Sequence, residues 1–150
     1  MEVPTKRFGT INVDEHKILR FPEGLIGFPE YRRYIVLDLD KGGFLQWLQC
    51  VDEASLGFVI LDPRVPFVDY DPVFTPEDLE GLEASSADEL VLLCVVTVPQ
   101  DVKQMTANLL APLVINPAKR LGKQVIISDP KYTTKHQVFS ALRNLMKRTG

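Results

Sequence analysis

Side chains able to do acid–base or covalent chemistry are few in this chain of 150 residues, and they are scattered. The histidines are His16 and His136, the serines stand at 55, 85, 86, 128 and 140, and the cysteines are Cys50 and Cys94. A nucleophile needs a base within reach and a third group to orient that base. No serine here stands in a Gly-x-Ser-x-Gly elbow. His16 falls in an alternating strand-like segment and His136 in what reads as the first turn of a terminal helix, so no catalytic residue is expected. Both cysteines lie inside apolar segments and read as small buried hydrophobes kept reduced. With no Cys-x-x-Cys and no His-x-x-x-His, no metal ligand set is expected either. One loop invites a cofactor reading: Gly24-Leu25-Ile26-Gly27, set between Phe21-Pro22-Glu23 and Phe28-Pro29-Glu30. It lacks the Lys-Ser/Thr of a phosphate loop and the flanking strand and helix of a dinucleotide fingerprint. Nor does it join two helices, as the RNA-clamping G-x-x-G loop does. Glu23 and Glu30 would repel phosphate. The doubled Phe-Pro-Glu reads as two turn boundaries, with glycines free to take positive φ and apolar residues folded back on the protein.

Charge is unevenly spread along the chain, although the net is only −3. Between residues 62 and 89, Asp62, Asp69, Asp71, Glu77, Asp78, Glu80, Glu83, Asp88 and Glu89 stand against Arg64 alone. From 117 to 150, Lys119, Arg120, Lys123, Lys131, Lys135, Arg143, Lys147 and Arg148 stand against Asp129. The first stretch would repel a phosphate backbone and the second attract one.

The elements that must position these residues are short. Apolar segments recur at 8–13, 16–21, 34–39, 44–51, 57–61, 89–98, 106–116 and 123–128, bounded by Gly, Pro, Asp or Asn. Most of the gaps are too short for the crossover helices of a parallel sheet. The pattern predicts an all-β fold, a small antiparallel β-barrel or barrel-like sandwich. Asp40-Lys41-Gly42-Gly43 supplies a tight turn, and Pro112 predicts an edge or bulge within 106–116. Along 44–51 both faces carry large apolar groups, so that strand is expected to be covered on both sides, with Trp47 in packing and the glutamines bonded to turn backbones. Two helices are expected. One is short and acidic, from Thr75-Pro76-Glu77-Asp78 to about Glu83. The other is C-terminal, opened by a capping box at Thr134 to Gln137, with Val138, Leu142, Leu145 and Met146 on one stripe. A single domain spans 1–150, with its core at about 8–136 and a basic amphipathic helix over 137–150. The longest apolar run, 90–96, is too short to span a bilayer, and the N-terminus shows no signal-like apolar region. A cytoplasmic location without membrane contact is expected.

Several segments form a distinctive set: Gly24-Leu25-Ile26-Gly27-Phe28-Pro29 followed by Tyr34, Phe44-Leu45-Gln46-Trp47-Leu48-Gln49, and Asp69-Tyr70-Asp71-Pro72. Further on come residues 93–99, the run from Thr106 to Asn116, Gly122 to Ile126, and Tyr132 to His136. Together they resemble the FliW family of flagellar assembly factors, over roughly 8–136. Cys50 stands where serine is expected in the family, and the terminal basic helix lies beyond the resemblance.

The resemblance implies a small antiparallel β-barrel and a cytoplasmic binding protein, not an enzyme. It implies two partners, flagellin and the RNA-binding translational repressor CsrA, which the factor sequesters once flagellin has been exported, so relieving repression of flagellin synthesis. No cofactor is implied. Since an RNA-binding protein presents basic surface, CsrA is expected to dock at Asp69, Tyr70, Asp71, Glu77, Asp78 and Glu80. Flagellin, engaged as an amphipathic helix, is expected at Leu25, Ile26 and Phe28, residues that equally suit a plug at the barrel end. A ligand- or cofactor-binding small β-barrel is the alternative. A nucleic-acid-binding barrel is disfavoured by the acidic stretch and by the lack of a basic aromatic strand.

Overall fold

A computed structural model describes residues 1–149. The strands are β1 (Glu2–Thr5), β2 (Gly9–Asn12), β3 (Leu19–Arg20), β4 (Arg33–Asp38), β5 (Gln46–Cys50), β6 (Gly57–Leu61), β7 (Val91–Thr97), β8 (Thr106–Ala107), β9 (Leu113–Asn116), β10 (Leu121–Gln124) and β11 (His136–Gln137). One α-helix, α1 (Val138–Thr149), follows.

Side-chain alternation explains the architecture. In β4, Tyr34 and Val36 point one way and Ile35 and Leu37 the other; in β7, Leu93 and Val95 oppose Leu92, Cys94 and Val96. Strands apolar on both faces must be covered on both, and a sheet closed on itself covers the inner face. Strands β3 to β7 pair in sequence order; β7 also pairs β9, β9 pairs β10, and β10 returns to β3. The result is a closed seven-stranded barrel. Its joins are antiparallel except the parallel β3–β10 contact, held in register by Leu121 opposite Arg20. Strands β8 and β11 extend the sheet beyond β7.

The barrel interior is filled by Phe21, Tyr34, Leu48, Ile60, Leu93, Leu113 and Ile115. The Tyr34 hydroxyl is buried there without a hydrogen-bond partner, and burial pushes that phenol well up, so it stays neutral. Outside the barrel, Leu61, Cys94, Val96 and Val114 are covered by Tyr70, Leu82, Val125, Ile127 and Val138. The β1–β2 hairpin packs Val3 onto Ile35 and Val51.

Four local features differ from the sequence reading. The run 106–116 is broken into β8 and β9, because the Asn108 carboxamide accepts the N–H groups of Leu110 and Ala111 and Pro112 has no donor. The expected acidic helix does not form; two tight turns replace it, with the Glu80 N–H donating to the Glu77 carbonyl and the Leu82 N–H to that of Leu79. The cap does form, with Thr75 N–H donating to Asp78 Oδ2 and Asp78 N–H to Thr75 Oγ1. The chain then reverses at Gly81 and Glu83, both at positive φ, so no α-helix can propagate. The capping box of α1 is replaced: Gln137 lies in β11, and the Thr133 N–H donates to His136 Nε2 at 2.9 Å. Strand β1 precedes the first segment read as a strand, and its Val3 is fully buried.

Trp47 and Gln49 follow expectation. The indole N–H donates to Gln49 Oε1 at 2.9 Å, and Gln49 Nε2 reaches the carbonyls of Cys50 and Leu56.

Candidate functional site

The doubled Phe-Pro-Glu builds two reverse turns of the same kind. The Phe21 carbonyl accepts the Gly24 N–H at 2.8 Å and the Phe28 carbonyl accepts that of Tyr31 at 3.3 Å, with proline second in each turn. Between them Leu25 and Phe28 bond each other's backbones, at 3.3 and 2.8 Å, to make a miniature hairpin tipped by Ile26 and Gly27. Gly27 takes φ +89, as the third position of a type II turn requires.

This geometry divides the three residues expected to meet flagellin. Leu25 is 4% exposed and packs with the barrel interior, so it is a plug rather than a contact. Phe28 is half-buried, edge-to-face with Phe58 at 5.7 Å. Ile26 is 54% exposed, its N–H donating to Gln124 Oε1 at 2.9 Å. Beside it runs an apolar groove of about 340 Å³, lined by Ile26, Phe58, Val95, Leu110 and Ile126. Ile126 is 62% exposed. The sequence reading missed Ile126 and Leu110, although alternation in Val125-Ile126-Ile127 was the available signal: the outer two are buried and the middle one turns out.

The six residues expected to meet the regulator divide as well. Tyr70 is 4% exposed; its hydroxyl donates to the Leu109 carbonyl at 2.8 Å and its ring stands edge-on to Tyr132 at 4.8 Å. The Asp71 N–H donates to the Tyr132 hydroxyl at 3.0 Å. Tyr70 therefore anchors the loop and offers no face to a partner. The Asp78 carboxylate is half-buried and committed to the Thr75 cap. Asp69, Asp71, Glu77 and Glu80 are exposed. The acidic turn is pinned from beneath by Lys123, whose ammonium donates to the carbonyls of Glu77 and Glu80 and lies 3.6 Å from Glu23.

The basic tail folds back toward the acidic stretch. Arg148 of α1 lies 3.6 Å from the Asp69 carboxylate. A groove of about 380 Å³ separates α1 from residues 66–70, with Phe67, Tyr132 and His136 in its wall. Burial holds the His136 imidazole below its ordinary range, as suits a ring nitrogen that accepts the Thr133 N–H. Burial pushes the Cys94 thiol up to about 12, leaving it inert. Among the described residues no group of His, Cys, Asp and Glu could hold a metal ion, and no helix is long and apolar enough to cross a membrane.

The molecule is thus a small, filled β-barrel whose distinctive chemistry lies on its outside: an exposed apolar groove at one turn and an acidic loop at another. The family model described as FliW protein matches residues 2–138. A flagellar assembly factor FliW of Natranaerobius thermophilus is 42% identical over 141 residues, covering 93% of each chain. That of Alkaliphilus metalliredigens is 37% identical over 151 residues, 100% of this chain and 93% of its own, so the alignment takes in α1. A crystal structure of the flagellar assembly factor FliW superposes with a TM-score of 0.86 at 37% identity, over 93% of this chain and 97% of that one. The chain belongs to the FliW family of flagellar assembly factors.

Proposed function

We propose that this flagellar assembly factor works in the cytoplasm by binding alone, without catalysis. It holds flagellin at the Ile26 groove and a CsrA-type RNA-binding repressor at the acidic loop. Flagellin that has not been exported occupies the factor; once flagellin leaves, the freed factor takes up the repressor and flagellin synthesis resumes. The observation that carries this reading is the pairing of Ile26 and Ile126, both more than half exposed, along one apolar groove. An amphipathic helix seats its apolar face in such a groove. The four exposed carboxylates of the acidic loop complement the basic surface of an RNA-binding protein. The two buried, unpaired cysteines suit a reducing compartment.

The test is a pull-down of the purified protein against flagellin and the repressor, each alone and then in competition. Capture of each alone, with flagellin lowering capture of the repressor, is expected. Failure to retain either partner would sink the proposal.

A further inference from the structure

The parallel β3–β10 join opens beside a cavity of about 360 Å³ that neither binding surface uses. Its walls come from distant stretches: Arg20 on β3, Arg33 on β4, Lys119 and Arg120 in the β9–β10 turn, and the carboxylates Glu15 and Glu83. Four cations face two acids in a protein whose net charge is −3.

The cavity is built rather than incidental. Asn116 is 1% exposed, and its side chain serves both walls. Its Nδ2 donates to the Leu82 carbonyl at 2.8 Å, and its Oδ1 accepts the Lys119 N–H at 3.4 Å. The residues that follow these two, Glu83 and Arg120, are the non-glycine residues with positive φ, +54° and +56°, among the described residues. One buried carboxamide thus fixes two unfavourable backbone conformations that aim the walls inward. Two of the cations are themselves fixed: the Arg120 Nη1 donates to the His16 carbonyl at 3.0 Å, and Arg33 forms a two-pronged pair with Asp52. The side chains of Arg20 and Lys119 enter no hydrogen bond or ion pair among the described residues.

We propose that this cavity binds a carboxylate-bearing peptide segment of a protein partner, with Arg20 and Lys119 receiving the carboxylate. An arginine fork and a lysine ammonium together suit a carboxylate. Glu15 and Glu83 oppose a phosphate dianion and accept the N–H groups of a peptide. Ile18 and Leu121 in the same lining take an apolar side chain next to the carboxylate. No residue is shared with the Ile26 groove, so this site stands or falls independently of the flagellin and repressor reading.

The test is an NMR titration of the isotope-labelled full chain with the acetylated peptide Gly-Leu-Glu-Leu bearing a free C-terminal carboxylate. Its C-terminal amide and inorganic phosphate serve as separate arms. Saturable shifts at the amides of Arg20, Glu83 and Leu121 are expected, weaker with the amide form and with added salt. The double variant Arg20→Glu/Lys119→Glu changes only exposed side chains, so it should melt as the parent does and bind at least about tenfold more weakly. The proposal is overturned by absent or unsaturable shifts, by undiminished binding in the folded double variant, or by phosphate saturating the same amides more tightly than the peptide.

Discussion

Ile26 and Leu25 are sequence neighbours with opposite environments, and replacing each separates binding from folding. Full burial of an isoleucine side chain is worth about 1.5–3 kcal/mol. Ile26 is 54% exposed, so roughly half of that, about 1 kcal/mol, is left to be gained when a helix covers it. Ile26→Ala should therefore weaken flagellin binding about fivefold. Ile26→Asp adds an unpaired carboxylate facing Phe58 and Ile126, raising the loss to about 2–3 kcal/mol, or roughly 30-fold to 150-fold. The buried half already contributes to the folded chain, so either substitution should lower stability by only about 1 kcal/mol. Leu25→Ala, at a site 4% exposed, should instead cost about 2–5 kcal/mol of folding free energy. Isothermal calorimetry against purified flagellin reads the first pair of values, and thermal melting by circular dichroism reads the second. An Ile26→Asp protein that binds flagellin with unchanged Kd would refute the groove assignment, and one that fails to fold would refute the exposed placement of the tip.

Other perturbations have equally definite outcomes. Reversing both exposed charges, Asp69→Lys with Asp71→Lys, should slow association with the basic repressor in stopped-flow, more at low than at high ionic strength; equal rates at low salt would move the interface elsewhere. His136 ties stability to pH: its folded pKa lies below the ordinary 6.5 through burial, so the unfolded chain takes the proton first. Its contribution is complete above about pH 6.5 and is lost as pH falls toward the folded value. Lys131 and Arg148 beside the same groove oppose the charged ring while Asp69 favours it. The melting temperature should drop more between pH 7.5 and 5.5 in the parent than in His136→Gln, and parallel curves would dismiss the effect. Gly57→Ala would place a methyl 2.3 Å from the Trp47 ring. That overpacking should destabilise by about 1–3 kcal/mol and alter the tryptophan near-ultraviolet signal; an unchanged melt would mean the ring moves freely.

Strand content was readable because period-two alternation and Gly/Pro punctuation are local properties: β5 to β7 fall within the segments where those signals stand, and β4 does but for Arg33. The reading failed where a side chain competes with the backbone or where backbone geometry cancels a local signal. Asn108 captures two N–H groups and splits one expected strand. The Thr75–Asp78 cap forms, but positive φ at Gly81 and Glu83 keeps a helix from propagating beyond it.

The same division runs through the binding surfaces. From residue types alone came the acidic and basic halves and the family likeness carried by Gly24 to Pro29. Composition could not say which of Leu25 and Ile26 is plug and which is tip, that Tyr70 is buried, or that Ile126 lies beside Ile26. Nor could it show that Asn116 bonds Leu82, 34 residues away in sequence, as well as the nearby Lys119. Those relations exist only once the barrel closes, because closure brings β10 against β3 and β9 against β7 and so decides which side of each turn meets the core.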